Sequence, residues 1–289
     1  MKEQMIKNKI KVVAIAGPTA SGKTKLAIDM AKKMNGEIIS ADSRLVYKGF
    51  NIATAKPTLK EMSGIKHHMI DIVEPEYDFS VAEFRDRAKL IIDEINSKGK
   101  TPIIAGGTGL YFRILLENYA LPKIECPKGL REELEKLSNE ELYNEILEKD
   151  EEYAQKVHIN NKVRLVRVLE VIRTTNKPFS QAASLKEPEY DVDWIFPKIV
   201  SREKLYERIN NRVDVMFEQG IVDETKYLLN KHGRIKNLVG TIGYSEIISY
   251  LDGKISLDAA KDLLKMNTRR YAKRQLTWFR RNPELKVDL

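Results

Sequence analysis

Eight residues near the start of the chain, Gly17-Pro-Thr-Ala-Ser-Gly-Lys-Thr24, constrain its fold more than any other feature. The spacing is that of a phosphate-binding loop, which requires a β-strand before it and an α-helix after it. Ile10 to Ala16 is a continuous β-rich run, and Lys23 to about Met34 has helical periodicity. The sequence therefore predicts a strand, a phosphate-binding loop and a helix, in that order.

The loop predicts a diphosphate site with Mg²⁺ as the cofactor. Backbone N–H groups and the positive end of the following helix wrap the phosphates, the lysine adds a mobile charge, and the last hydroxyl reaches the metal ion. A nucleotide kinase, an ATPase and a transferase with a diphosphate leaving group all need this cradle, and the motif alone is typical of an ATP site. The predicted diphosphate-binding residues are Gly17, Pro18, Thr19, Ala20, Ser21, Gly22, Lys23 and Thr24, with Thr24 as the metal ligand.

Further short apolar runs predict buried strands separated, in most cases, by helices. Such alternation favours a parallel sheet covered on both faces, so we predict an α/β fold with a P-loop NTPase-like parallel core. A helix is expected from the Ser80 cap to about Ser97. The predicted strands are Glu37 to Ala41, His68 to Val73, Pro102 to Ala105 and Trp194 to Val200.

The alternation lapses between about Asn118 and Asp193, where the sequence is mostly helical. We interpret this stretch as an insertion between two core strands. The expected units are residues 1–117 and 194–289, a phosphate-loop core with a helical C-terminal region, and residues 118–193, an all-helical insertion domain.

Two short segments are predicted to lie beside the phosphate loop at the carboxyl edge of the sheet, where ligands bind in open α/β folds. Asp42 ends one strand, and its carboxylate can bind magnesium through water, act as a general base, or cap the next turn. Gly106-Gly-Thr-Gly109 ends another strand. Its glycines allow close backbone approach to a ligand and Thr108 presents a hydroxyl, although a plain turn is the alternative.

The net charge of +8 and the pI near 9.2 favour an anionic partner, and the distribution of basic residues narrows its class. Between Asp262 and Glu284 there are seven basic residues and no acidic one. Arg269 and Lys273, and Arg270 and Arg274, are four apart, so like charges lie side by side on a helix and an anion compensates them. The aromatic residue Trp278, at helical spacing, is expected to pack in the core. Arg164 and Arg167 form a second basic set. Two basic surfaces and a phosphate site predict a polyanion such as RNA.

The remaining composition excludes several classes of protein. Cys126 is the only cysteine, which excludes a disulfide framework and suits a reducing cytoplasm. No run approaches the roughly 20 apolar residues of a spanning helix, so we expect no membrane association.

Seven segments, taken in order, resemble the tRNA dimethylallyltransferase family over about residues 11 to 281. The combination is far more specific than the phosphate loop alone. The segments are GPTASGKT (17–24), SADSRLVYKGFNIATAKPT (40–58), GGTGLY (106–111), the Arg164-x-x-Arg167-x-x-Glu170 helix, ERINNRVDVMFEQGIVDE (207–224), IGYSE (242–246) and TRRYAKRQLTWFRR (268–281).

The resemblance implies transfer of a dimethylallyl group from dimethylallyl diphosphate to N6 of adenine 37, next to the anticodon of tRNAs that read codons beginning with U. It implies that Asp42 is the base, that Thr108 and Arg212 contact the diphosphate as catalytic residues, and that the insertion grips the anticodon stem-loop. We expect a cytoplasmic monomer. Prenylation of free adenine nucleotides and a phosphate-loop kinase or ATPase remain the alternatives. The expected tRNA-binding residues are Asp42, Ser43, Arg44, Leu45, Thr108, Arg131, Arg164, Arg167, Arg269, Lys273 and Arg274.

The chain departs from the usual pattern of that family at RNA-facing positions. Leu45 and Arg270 stand where glutamine is common, Val163 stands where a polar or basic residue is usual, and Ser245 replaces a basic residue. The phosphate site is intact, so these departures concern recognition of the target base.

Overall fold

The computed structural model describes residues 9–120, 122, 124, 126–182, 184–285 and 287; the other residues of the predicted core and insertion lie outside this description. The chain divides into two compact units. Met1–Leu115 together with Glu189–Leu289 form one unit, called the core unit, and Leu116–Pro188 form the other, called the insertion.

The strands of the described residues belong to a five-stranded sheet in the core unit and a two-stranded sheet in the insertion. They are, in chain order, β1 (Ile10–Ala16), β2 (Gly36–Ala41), β3 (His67–His68), β4 (Thr101–Gly106), β5 (Tyr119–Ala120), β6 (Ser184–Leu185) and β7 (Tyr190–Ile195).

The core sheet has the strand order β3-β2-β4-β1-β7, and all its neighbours are parallel. The predicted α/β class and parallel sheet are therefore confirmed. The register aligns Ala41 and Ala16 with Gly106, so the last residues of β2, β4 and β1 lie side by side at one edge. Parallel strands place the loops that follow them at the same edge of the sheet.

Two strand predictions were wrong in their bounds. The strand expected from His68 to Val73 is only the two residues of β3, because Met69 and Asp71 adopt left-handed φ values of 63° and 54° that end extended backbone. The strand expected from Trp194 to Val200 is Tyr190–Ile195. The predicted insertion boundary at residue 193 therefore falls inside β7, and the structure places it at Pro188.

The helices of the described residues cover the core sheet and build the insertion and the C-terminal region. They are α1 (Lys23–Lys33), α2 (Leu59–Met62), α3 (Val81–Ser97), α4 (Gly109–Leu115), α5 (Leu130–Lys136), α6 (Asn139–Lys149), α7 (Glu151–Ala154), α8 (Lys162–Thr175), α9 (Phe179–Ala182), α10 (Arg202–Glu218), α11 (Ile221–His232), α12 (Lys236–Val239), α13 (Tyr244–Leu251) and α14 (Leu257–Phe279). No helix among the described residues combines the length and apolar composition needed to cross a membrane.

Helix α3 begins and ends where the sequence predicts. Ser80 Oγ accepts from the Glu83 backbone N–H at 3.1 Å, which satisfies one of the unpaired donors of the first turn. The Glu83 carboxylate accepts from the Tyr77 hydroxyl and from Arg87. Helix α1 also has its predicted start at Lys23, directly after the phosphate loop.

The sheet of the core unit is held by aliphatic side chains from its central strands. Ile15, Ile39, Ile103 and Ile104 are fully buried. Burying each such side chain stabilises the fold by about 2 kcal/mol. The central strands are apolar on both faces because helices cover both, as the continuous apolar runs of the sequence predict.

The insertion has a separate hydrophobic core between its helices. Leu134, Leu142, Ile146, Leu165 and Leu169 are fully buried in it. The short antiparallel pair β5–β6 joins the two ends of the insertion and was not predicted. The insertion is otherwise helical, as the sequence indicates.

Candidate active site

Three loops meet at the carboxyl edge of the core sheet. The phosphate loop follows β1, the Asp42 turn follows β2, and residues 107–109 follow β4, which lies between the other two strands. Backbone hydrogen bonds join them: the Gly17 N–H donates to the Gly106 carbonyl at 3.3 Å, and the Thr108 N–H donates to the Ala41 carbonyl at 3.1 Å. The predicted diphosphate and base residues are thus neighbours in space.

The phosphate loop has one open side. Gly22 is left-handed, with φ 89°, and a Cβ at this position would meet nothing within 4 Å. The Ser21 side chain is buried, and its Oγ has no hydrogen-bond partner among the described residues. A buried hydroxyl without a partner is costly and rare, and here it lies in a loop whose pattern predicts an anion.

Two cations lie at the loop. The Lys23 Nζ donates to the Pro18 carbonyl at 2.5 Å, and the Arg212 Nη1 donates to Thr19 Oγ1 at 3.1 Å. Burial, aided by the charge of Arg212 and opposed by Asp42, lowers the pKa of Lys23 to about 7. Burial also lowers the pKa of Arg212, although Glu61 and Asp42 oppose this shift. Buried cations of this kind are stabilised by an anion.

Asp42 is half-buried and partly engaged. Its Oδ1 accepts from the Arg44 backbone N–H at 2.8 Å, so the capping role left open by the sequence is real for one oxygen. Oδ2 receives no hydrogen bond from the described residues, which leaves it available to a ligand. The Thr108 Oγ1 accepts from the Ser43 N–H at 3.1 Å, and this bond fixes the turn that carries Asp42.

The glycines of residues 106–109 are closely surrounded by other parts of the protein. A Cβ at Gly106 would lie 2.1 Å from the Ala41 carbonyl oxygen, at Gly107 2.2 Å from Gln275, and at Gly109 2.0 Å from Trp278. These glycines admit strand β2 and the side chains of helix α14, and Gly106 and Gly107 also line a cavity beside the phosphate loop. The close approach of this backbone to a ligand stays a prediction.

Beside the phosphate loop lies a cavity of about 870 Å³. Its polar lining includes Lys23, Asp42 and Arg212, and its apolar lining includes Val213 and Met216. The other predicted site residues in the lining are Thr19, Ala20, Ser21, Gly22, Thr24, Ser43, Arg44, Leu45 and Arg274. The cavity therefore offers an anion cradle, a carboxylate and an apolar wall in one space.

Helix α14 presents basic residues of two kinds. Arg269 is half-buried and donates to Asn210 Oδ1 at 2.6 Å, so its guanidinium is already engaged. Lys273 and Arg274 are exposed and have no carboxylate at ion-pair distance among the described residues. The Arg274 guanidinium lies 5.7 Å from the centre of the Tyr271 ring. Lys273 and Arg274 are thus the predicted α14 cations that remain available to a polyanion.

The predicted arginines of the insertion are exposed, and each has a partner. Arg131 Nη1 and Arg167 Nη1 donate to the two oxygens of Glu170, at 3.3 and 3.0 Å, and Arg164 donates to the Tyr153 hydroxyl at 2.9 Å. Glu170 is 2% exposed. A buried carboxylate that holds two arginines fixes the direction of their remaining donors.

Sequence reasoning missed Gln275, which is buried and bonded to two of the three loops. The available signal was a polar residue at a core-facing position of α14, four residues after Tyr271 and three before Trp278. It also missed Glu61, which lines the cavity near Arg212. No pattern in the sequence connects residue 61 with residue 212.

The core unit is a parallel sheet with a phosphate loop after β1 and the carboxylate of Asp42 after β2. These features define the class of phosphate-loop proteins that act on a phosphorylated ligand. Comparison with known proteins gives the family. The IPP transferase family model matches residues 45–282, and the chain belongs to that family.

Curated relatives support this membership. The chain is 50% identical to a tRNA dimethylallyltransferase of Acetivibrio thermocellus over 278 residues, which cover 93% of this chain and 88% of the relative. It is 47% identical to a tRNA dimethylallyltransferase of Caldanaerobacter subterraneus over 283 residues, covering 94% of this chain and 89% of the relative.

Solved structures agree. A tRNA isopentenylpyrophosphate transferase from Bacillus halodurans has a TM-score of 0.71 and 42% identity, with 96% of this chain and 88% of that chain covered. A eukaryotic dimethylallyltransferase acting on tRNA has a TM-score of 0.84 and 31% identity, with 97% and 73% covered. The predicted family resemblance is confirmed.

Proposed function

We propose that this protein transfers a dimethylallyl group from dimethylallyl diphosphate to N6 of adenine 37 of tRNAs that read codons beginning with U, and releases diphosphate. The observation that carries the proposal is that one cavity is lined by both the phosphate loop and Asp42. A kinase or ATPase also needs the loop, whereas a carboxylate oxygen facing the same space suits an acceptor whose proton must be removed.

The leaving group determines what the cations do. Breaking the allylic C–O bond builds negative charge on the diphosphate, and preorganised donors aimed at that charge stabilise the transition state. The loop N–H groups, Ser21 Oγ, Lys23 and Arg212 are those donors in our proposal. The apolar side chains of Val213 and Met216 then contact the prenyl chain.

Asp42 is the proposed base toward the acceptor amine. An exocyclic amine is a weak nucleophile, so a carboxylate that accepts its N–H proton as the new C–N bond forms assists the attack. The Arg44 N–H and the Thr108 hydroxyl hold the Asp42 turn, and Oδ2 accepts the proton. The adenine has to leave the stack of the anticodon loop to reach this atom, as base-modifying enzymes require.

The residues at the loop fit Mg²⁺ bound with the diphosphate. Among the described residues no group of three or more His, Cys, Asp or Glu side chains could hold a metal ion. Mg²⁺ is commonly bound by one or two protein oxygens and by substrate phosphates, and Thr24 and Asp42 line the cavity to provide them. When bound, Mg²⁺ neutralises part of the charge on the leaving group.

The exposed cations are proposed to bind the RNA backbone. Lys273 and Arg274 contact phosphates beside the cavity, and Arg131, Arg164 and Arg167 of the insertion contact the anticodon stem-loop. We propose a monomer as the working unit, located in the cytoplasm with its tRNA substrate.

The direct test is a transfer assay with Mg²⁺ and labelled dimethylallyl diphosphate. The acceptors, in parallel, are an anticodon stem-loop with A36-A37-A38, the same stem-loop with guanine at position 37, free AMP, and no acceptor. We expect label only on the first stem-loop. Transfer to AMP, or release of diphosphate without transfer, would contradict the proposal.

Two variants separate the roles within the site. Asp42→Ala should lose turnover by about 100-fold or more while inorganic diphosphate still binds, since removing a positioned general base typically has that effect. An equal loss of turnover and diphosphate affinity would assign Asp42 to metal binding instead.

Arg274→Ala should weaken stem-loop binding and reduce the salt dependence of that binding by about one unit of slope, with diphosphate affinity unchanged. Lys226→Ala, which removes an exposed cation of α11, is the matched control. An unchanged salt slope in the Arg274 variant would remove α14 from the RNA interface.

A further inference from the structure

Gln275 of helix α14 joins two loops that the chain separates widely. Its Oε1 accepts from the Thr19 N–H in the phosphate loop at 2.8 Å, and its Nε2 donates to the Gly107 carbonyl at 2.9 Å. The side chain is 6% exposed. Both ends of one buried amide are therefore used, each on a different loop of the active site.

The geometry allows one orientation of this amide. Turning it over would set Nε2 against the Thr19 N–H and Oε1 against the Gly107 carbonyl, which pairs donor with donor and acceptor with acceptor. The position is also tight, because a Cβ at Gly107 would lie 2.2 Å from Nε2. The amide is thus fixed in place as well as bonded.

Thr19 connects Gln275 to the guanidinium of Arg212. Its backbone N–H is held by Gln275, and its Oγ1 accepts from Arg212 Nη1 at 3.1 Å. Thr19, Arg212 and Gln275 all line the cavity. A shift of the Thr19 backbone would therefore move the acceptor that orients Arg212.

We infer that Gln275 is a positioning residue for the diphosphate: it holds the phosphate loop, and through Thr19 the Arg212 guanidinium, in the shape that binds the leaving group. This inference rests on the proposed function, since it takes the phosphate loop as the site of the prenyl donor. A buried side chain that only fills space would need neither of the two hydrogen bonds.

Gln275→Met tests the hydrogen bonds apart from packing, because methionine has a similar length and volume but neither donates nor accepts strongly. Leaving the Thr19 N–H without its acceptor should lower the affinity for inorganic diphosphate about 10-fold, as measured by calorimetry with Mg²⁺ present. The KM for dimethylallyl diphosphate should rise by a similar factor, and the KM for the stem-loop should not change.

Gln275→Glu adds a test that does not depend on the stability of the first variant. An ionised carboxylate accepts from Thr19 but repels the Gly107 carbonyl, whereas a protonated carboxyl group donates and accepts like the amide. The ratio of wild-type to variant diphosphate affinity should therefore fall toward one as the pH is lowered. Protonation of diphosphate changes the affinity of both proteins by the same factor, so it cancels in the ratio at each pH.

Asn267→Ala is the matched control on the same helix. Asn267 donates to Glu246 Oε1 at 2.7 Å and so ties α14 to helix α13, away from the three loops of the site. Its diphosphate affinity should equal that of the wild type. Equal losses in the Gln275→Met and Asn267→Ala variants, or wild-type affinity in Gln275→Met, would overturn the inference. A wild-type protein that binds no diphosphate would instead overturn the proposed function.

Discussion

Two glycine-rich loops follow neighbouring strands of the same sheet, and Gly22 of the first differs from the glycines of the second in what requires it. In the phosphate loop, Gly22 is required by its backbone: φ is 89°, and the space where a side chain would lie is open. In the loop after β4, Gly106, Gly107 and Gly109 are required by their surroundings, since a Cβ would lie 2.0 to 2.2 Å from other atoms. Gly22 leaves space beside the backbone, whereas the three glycines after β4 make room for other parts of the protein.

The difference explains how the site is assembled. Helix α14 can approach the carboxyl edge only because residues 107 and 109 have no side chains, and this approach brings Gln275 to the phosphate loop. The packed loop therefore positions the helix that supports the open loop. The comparison predicts that substitutions in the packed loop act on stability and those in the open loop act on diphosphate binding.

The largest effect is expected for Gly106→Ala. The new methyl group would overlap the Ala41 carbonyl in the neighbouring strand, and overpacking of this kind lowers the free energy of unfolding by about 3 kcal/mol. Urea unfolding measures the change. Gly253→Ala, whose methyl would meet nothing within 4 Å, should lower the free energy by only about 1 kcal/mol, through its backbone conformation. Equal losses would show that the packing difference is unimportant.

The sequence could not distinguish the two loops. Its motif identified the phosphate loop because the pattern Gly17 to Thr24 is local, and β1 and α1 formed where the pattern required them. The partners of Gly107 and Gly109 are 168 and 169 residues away, in α14. No local pattern reports such a distance, so the contacts of these glycines with α14 could not be predicted from the sequence.

An intermediate effect is expected for Thr108→Val, which keeps the shape and removes the hydroxyl. The Ser43 N–H would lose its acceptor, and the turn that carries Asp42 would lose this support. We expect kcat for prenyl transfer to fall about 10-fold, which corresponds to an activation free energy about 1.4 kcal/mol higher. Diphosphate affinity should stay constant, because the hydroxyl is engaged with Ser43. Thr108→Ser should restore the rate. A loss of diphosphate affinity would show instead that Thr108 contacts the leaving group, as the family resemblance implies.

A smaller effect on stability, about 1 kcal/mol, is expected for Gly22→Ala, because alanine is strained at φ 89° but meets no neighbour. The free energy of diphosphate binding should be weakened by more than the free energy of unfolding, since the methyl group enters the open side of the phosphate loop. The Gly253→Ala variant has the same kind of backbone strain at a residue that does not line the cavity, and it should bind diphosphate normally. A normal affinity in both would mean that the open side of Gly22 does not face the ligand.

Strand bounds show a second limit of local patterns. The central strands were predicted well because they are apolar on both faces, whereas the edge strand β7 alternates as Tyr-Asp-Val-Asp-Trp-Ile and was predicted four residues late at its start, at Trp194 instead of Tyr190. An edge strand has one paired neighbour, here β1, and tolerates polar residues. The length of β3 was missed because left-handed Met69 and Asp71 are not glycines and give no sequence signal.

The smallest expected effect is the uptake of a proton by Lys23 when diphosphate binds. Burial lowers the pKa of Lys23 to about 7, so we expect Lys23 to be mostly neutral in the unliganded protein at pH 8. A bound diphosphate favours the charged form and raises this pKa, so binding at pH 8 should take up part of one proton, and affinity should fall as the pH rises above 7. Calorimetry in buffers of different ionisation enthalpy measures the uptake. Lys23→Arg is the control, because arginine stays charged in both states, and only the protons of diphosphate itself remain to be counted. Equal uptake in the two proteins would show that Lys23 is already charged in the open loop before the ligand arrives.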